Sequence, residues 1–307
     1  MIQLLARRPV TIFMILTMIV TYPLGIAALI GLQPLQDIMP DGIRDDLITG
    51  TVSRYAPTLV ALFMMATVYG TPAFRAWLAQ LFRVAVHPAY YLGILLIMIA
   101  GWAIAAGLVA SGSGADVSAL IETDLASSDF TLISRLIDYG REIAYVFVTN
   151  GEETGWRFFL TAILLTRMRL FPASLVIWAL WSFWHWPILL LSGGGLNVIA
   201  AFTVLLMPAT LLASWLYAKT DSLFLLLFAH GVFNATTEYA YARQFPGLEA
   251  VTSQYEALAA LYMAAVFGFI ALIVVARDRA LFFQTANPID DGGWASRAER
   301  HGAELEE

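Results

Sequence analysis

The 307-residue chain is 60% hydrophobic and only 13% charged, whereas a soluble domain is about half apolar and about a quarter charged. That excludes an ordinary soluble globular protein and requires a polytopic membrane protein. The formal net charge of -6 comes mainly from acids in loops and the tail, and a single lysine with no basic cluster offers nothing to a nucleic acid. With no cysteine, disulfides and thiolate metal sites are excluded.

No barrel-like alternation is sustained, so every span must be a helix. Apolar windows of roughly 17–25 residues, the length that crosses a bilayer, fall near 9–31, 55–70, 88–110, 142–166, 172–191, 196–218, 222–240 and 257–276. They predict an all-α membrane bundle of about eight transmembrane helices. Arg7 and Arg8 ahead of the first window resemble a signal-peptide start. The apolar run continues to Leu32, however, and is read as an uncleaved first span. The second window is short and extends toward Trp77, and the fourth is interrupted by Asn150 and Gly151. Residues 1–280 form a single membrane domain with its polar core at 142–240, and the tail 281–307 reads as disordered.

Loop charges alternate along the chain. Arg7, Arg8, Arg75, Arg83, Arg167, Arg169, Lys219, Arg277 and Arg279 fall on one side. Asp37, Asp41, Asp45, Asp46, Asp116, Glu122, Asp124, Asp129, Glu249 and Glu256 fall on the other. This is the positive-inside pattern, with both termini cytoplasmic.

Within the spans the ionisable residues are Glu152, Glu153, Arg157, His185 and His230, with Asn234 and Glu238 on the helix of His230. Charges in hydrocarbon cost several kcal/mol, about 2.5–3.5 on insertion scales, so these demand a reason. Glu153 and Arg157 are one helical turn apart and can neutralise each other, as can His230 and Asn234 share a face. Glu152 is turned about 100° from Glu153. At about 1.5 Å per residue, His230, His185 and Glu152 lie roughly 12, 20 and 22 Å from the cytoplasmic side, close to a common layer. Asn150 followed by Glu153 resembles a capping box. A helix would then start at the acids, with 134–149 a separate piece.

Glu152-Glu153-Thr154-Gly155-Trp156-Arg157 resembles the E-E-x-x-x-R motif of the CPBP intramembrane proteases, which include the CAAX prenyl endopeptidases and bacterial Abi relatives. The stretch around His185 and Pro187 resembles the second motif, and His230 with Asn234 the third, H-x-x-x-N. Where the family has phenylalanine four residues before the second-motif histidine, this chain has Trp181, which implies a tighter pocket on that side. The resemblance implies an endopeptidase in which Glu152, aided by His185, activates water. His230 and Asn234 would stabilise the oxyanion, with Glu153 and Arg157 in support. It also implies a multi-pass protein of a bacterial plasma membrane, acting on a membrane-anchored peptide or protein and surrounded by lipid.

Peptide hydrolysis needs an activated water and donors aimed at the developing oxyanion, and these residue types supply both. The same atoms permit a metal alternative, because Glu152, His185 and His230 form a two-histidine, one-carboxylate set suited to catalytic zinc. No soluble cofactor is indicated. Plainer readings remain for several residues: Glu153–Arg157 as a structural ion pair, Glu238 as an interfacial acid, and Trp178, Trp181 and Trp184 as packing. A non-catalytic scaffold or immunity protein retaining the fold is the competing function, and a transporter is the third.

Overall fold

The computed structural model describes residues 2–29, 52–126, 131–191, 193–239, 245–284 and 294–295. The expected loop acids Asp37, Asp41, Asp45, Asp46 and Asp129, and all of the tail beyond 284 except 294–295, lie outside the described residues. The described residues are predominantly helical, with no strand among them.

The chain begins with α1 (Ile2–Arg7) and α2 (Pro9–Leu29). A second span runs through α3 (Val52–Met64), a π-helical turn Met65–Tyr69, and α4 (Gly70–Leu81). It thus extends past Trp77, as its composition suggested. Pro88 opens α5 (Pro88–Gly112), where its missing N–H is no loss, and His87 Nδ1 accepts from the Ala89 N–H at 3.2 Å. Asp116 caps α6 (Val117–Leu125), and Thr131 with Ser134 forms a reciprocal capping box on α7 (Leu132–Thr149). After the break at Asn150–Gly151 come a π-helical turn, Thr154–Phe159, and α8 (Leu160–Leu165). Then follow α9 (Leu170–Leu191), α10 (Leu196–Thr220), and α11 (Leu223–Asn234), started by the Ser222 hydroxyl. A turn Ala235–Tyr239 carries Glu238 beyond α11. The last elements are α12 (Pro246–Thr252), α13 (Glu256–Arg277) and α14 (Arg279–Phe283).

Among the described residues, five helical stretches are long and apolar enough to cross a membrane, and the shorter apolar helices Pro9–Pro23, Thr154–Leu165 and Leu223–Thr237 stand where the other three spans were expected. This is a multi-pass helical membrane bundle. Helix α10 packs between α9 and α13, α11 packs on α7 and α5, and α3 lies against α2 and the turn after the break.

Polar side chains gather at the helix ends. Asp221, held in the left-handed region at φ 50, accepts from Gln80 Nε2 at 2.9 Å and from Arg83 Nη1 at 2.8 Å. The Ser222 hydroxyl donates to the Arg83 carbonyl at 2.6 Å. Lys219 pairs with Asp278 at 3.1 Å. The basic ends of α4, α10 and α13 therefore sit at one end of the bundle, consistent with the loop alternation. Toward the other end, buried Asp124 caps α12, accepting from the N–H groups of Gly247 and Leu248 at 3.0 and 3.3 Å.

Within the tail, Trp294 is buried in the main core. Its ring stacks on Phe158 with centroids 5.5 Å apart and meets the edge of Tyr69 at 5.0 Å. Truncating a buried tryptophan to alanine costs about 3–5 kcal/mol. Trp294→Ala is therefore expected to lower the thermal unfolding midpoint in detergent clearly, while Trp294→Phe retains most of the stability.

Candidate active site

The two glutamates sit where a span is broken. Helix α7 closes normally, the Asn150 N–H donating to the Val146 carbonyl at 2.9 Å. The Asn150 side-chain oxygen then accepts from the Glu152 N–H at 2.9 Å and starts the second half. The anticipated capping box does not form. The Asn150 N–H is already committed to α7, and the Glu153 carboxylate is drawn elsewhere. Asn150 caps the new segment alone, and the separate helix 132–149 fits the expected division.

Carbonyls freed by such a break must find donors, because lipid supplies none. Helix α3 supplies them: the Tyr55 hydroxyl donates to the Val148 carbonyl and the Thr58 hydroxyl to the Gly151 carbonyl. The approach is close enough to require glycine. A Cβ on Gly151 would stand 2.5 Å from the Tyr55 ring, and one on Gly155 would stand 2.5 Å from Pro57 Cβ.

From this break the two carboxylates part. Glu152 Oε2 accepts from the Trp181 indole N–H at 2.7 Å. Glu153 Oε1 meets His230 Nδ1 at 2.7 Å, and Glu153 Oε2 lies 3.3 Å from Arg157 Nε. That last contact is an ion pair without hydrogen-bond alignment. The Arg157 guanidinium, 1% exposed, lies over the Trp181 ring 4.5 Å from its centroid, a cation–π contact that is strongest when desolvated. His185 Nδ1 is 2.8 Å from the Trp181 carbonyl. A carbonyl only accepts, so His185 carries its hydrogen on Nδ1, and in the neutral ring Nε2 is left as an acceptor.

Glu152, Glu153, Arg157, Trp181, His185, His230 and Asn234 all line one cavity of about 640 Å³, within the range of ligand pockets. The rest of its wall is mostly apolar and comes from α5, α10 and α13, including Met98, Trp102, Leu205, Met263 and Phe267. The structure thus brings these seven residues of the three motifs together. Trp178 and Trp184 serve as packing residues with satisfied indoles, donating to the Thr203 carbonyl at 2.8 Å and to Thr21 Oγ1 at 2.9 Å.

Three contributions escape a reading by motif. Arg54 lines the same cavity and its charge acts on His185. It stands one residue ahead of the second apolar window, and starting that helix at Val52 would have placed it inside. Tyr55 and Thr58 gave no signal beyond being polar at a span entrance. Trp181 was legible as an aromatic but not as a donor to Glu152.

The zinc alternative meets a geometric test here. The Nδ1 contacts of His185 and His230 are of a kind that also supports metal ligands. Yet among the described residues no group of three His, Asp or Glu side chains is gathered to hold a metal ion. Glu152, His185 and His230, as placed, do not form such a group.

The fold and the cavity define a class, a helical membrane protein with a polar site enclosed in its bundle. Residues 142–236, which contain all three motifs, match the family model of the type II CAAX prenyl endopeptidase Rce1-like proteins. The motif-bearing segment is thus similar to the type II CAAX prenyl endopeptidases, the family its motifs resemble. No curated protein matches the chain.

The contacts at the break lead to a direct expectation. Gly155→Ala forces α3 away from this turn and should abolish peptidase activity while lowering the unfolding midpoint. Ala→Gly exchange at exposed Ala144, also helical, should leave activity within about twofold, since its cost is only the roughly 1 kcal/mol helix-propensity difference.

Proposed function

We propose that the chain is an intramembrane endopeptidase that hydrolyses a peptide bond of a membrane-anchored substrate. The observation that carries this reading is the convergence of Glu152, His185, His230 and Asn234, from three separate spans, on one cavity.

In this mechanism a water lies between Glu152 and His185 Nε2. Glu152 removes one proton through the carboxylate oxygen not held by Trp181, while Nε2 accepts the water's other hydrogen. The resulting hydroxide attacks the scissile carbonyl carbon, and the carbonyl oxygen takes the negative charge. The Asn234 side-chain NH2 and His230 Nε2–H receive that charge. Because His230 donates Nδ1–H to Glu153, Nε2 bears a hydrogen only in the imidazolium form, and the Glu153 carboxylate stabilises that cation. Arg157 in turn balances Glu153. Glu152 then returns its proton to the leaving nitrogen as the C–N bond breaks. Donors fixed before reaction act most strongly in a dry site, and the mostly apolar wall provides one.

The substrate's apolar portion occupies the cavity between α5, α10 and α13. The loop charges support both termini being cytoplasmic; the motif resemblance supports a plasma membrane, with residues 1–280 acting as one domain.

Glu152→Gln should reduce cleavage of a membrane-anchored peptide on the order of 10²–10⁴-fold, the usual contribution of a general base, with folding retained. Asn234→Ala should cost on the order of 10²–10³-fold in kcat, as loss of an oxyanion donor does. Full activity in Glu152→Gln contradicts the mechanism. Orientation has its own test, because the chain lacks cysteine. A single cysteine at Lys219 should react with an impermeant thiol reagent only from the cytoplasmic side, and labelling from outside would reverse the topology.

A further inference from the structure

We propose that Trp181 is a positioning residue of this site, its indole N–H fixing which oxygen of Glu152 takes the proton from water. The proposal rests on the peptidase reading above and deepens it.

The indole N–H donates to Glu152 Oε2 at 2.7 Å with both residues buried. That is the length of a charge-assisted hydrogen bond, roughly twice as strong as a neutral one. With Oε2 engaged, Oε1 is the oxygen left for water, and the carboxylate plane cannot rotate freely about its last bond. Two further contacts engage the same residue. Arg157 covers its face at 4.5 Å, and its backbone carbonyl takes the Nδ1 hydrogen of His185 at 2.8 Å. One residue therefore orients the proposed base through its side chain and sets the tautomer of the proposed partner through its main chain. It also lies against the guanidinium that pairs with Glu153.

A purely packing role would be served by any aromatic ring of similar size. A phenyl ring keeps the face for Arg157 and leaves the main-chain contact to His185 intact, but it has no donor for Glu152. The hydrogen bond is thus separable from the packing. A misplacement of about 1 Å at a reacting group can cost on the order of a hundredfold, so losing this one donor should be visible in turnover while substrate binding is spared.

The test compares wild type, Trp181→Phe, and a variant carrying at 181 the tryptophan isostere with sulfur in place of the indole N–H. Glu152→Gln serves as reference. Cleavage of a membrane-anchored peptide is followed in detergent together with thermal unfolding. The expected result is a kcat lowered on the order of ten- to a hundredfold in both Trp181 variants, with KM within about twofold and the isostere unfolding at the wild-type temperature. Wild-type kcat in the isostere, or a loss confined to KM, overturns the proposal. So does a loss in Trp181→Phe that the isostere does not share, which would mark a packing role. Activity lost in Glu152→Gln but intact in the isostere overturns this inference alone. Full activity in Glu152→Gln overturns the peptidase mechanism and this inference with it.

Discussion

Two adjacent carboxylates inside a bilayer can be kept only if each finds its own partner, and the rest of this structure follows from that constraint. On a helix Glu152 and Glu153 are turned about 100° apart, so each can reach a different neighbour. The break at Asn150–Gly151 places them at the start of a new helical segment. From there they diverge, one toward α9 and one toward α11. A broken helix at membrane depth is tolerable only where protein replaces the missing donors. The close seating of α3 on Gly151 and Gly155, with its two hydroxyl groups turned to the freed carbonyls, meets that condition.

The network that results ties charge balance to the proposed chemistry through His230. Glu153, Arg157 and His230 form a nearly closed ionic group, with Arg157 also lying on an aromatic face. Glu152 is held by a neutral donor, the Trp181 indole. Fixing charges in place before reaction is the usual source of strength in electrostatic catalysis. It also accounts for burying an ion pair whose desolvation is otherwise expensive. The π-helical turn across Thr154–Phe159 belongs to the same design, since such turns insert a residue into a helix and re-aim side chains, frequently at functional sites.

Much of this was legible from the chain. Hydropathy alone gives the spans, because hydrocarbon permits so few structures. The three motifs name Glu152, Glu153, Arg157, His185, His230 and Asn234 in the cavity wall, because polar groups stand out in apolar helices. Asn150 and Gly151 announce the break. Long-range pairings were not legible. Nothing in the residues around Asn150 says that its N–H stays with α7, which is why the capping box fails. Tryptophan packs and donates, and only the distance to Glu152 shows Trp181 doing both. Arg54 was hidden by one residue of helix boundary. Trp294 looked like part of a polar tail, and its aromatic partners at 69, 158 and 159 are too distant in sequence to suggest the contact.

The central claim is that the broken segment and α11 are locked together through Glu153 and His230, because that contact brings the third motif to the first. A double-mutant cycle on unfolding free energy measures it directly, using wild type, Glu153→Gln, His230→Gln and the double variant in one detergent. Residues in contact within one network couple by about 0.5–3 kcal/mol, and the account predicts a coupling above about 1 kcal/mol for this buried pair. Additive effects of the two substitutions would contradict it.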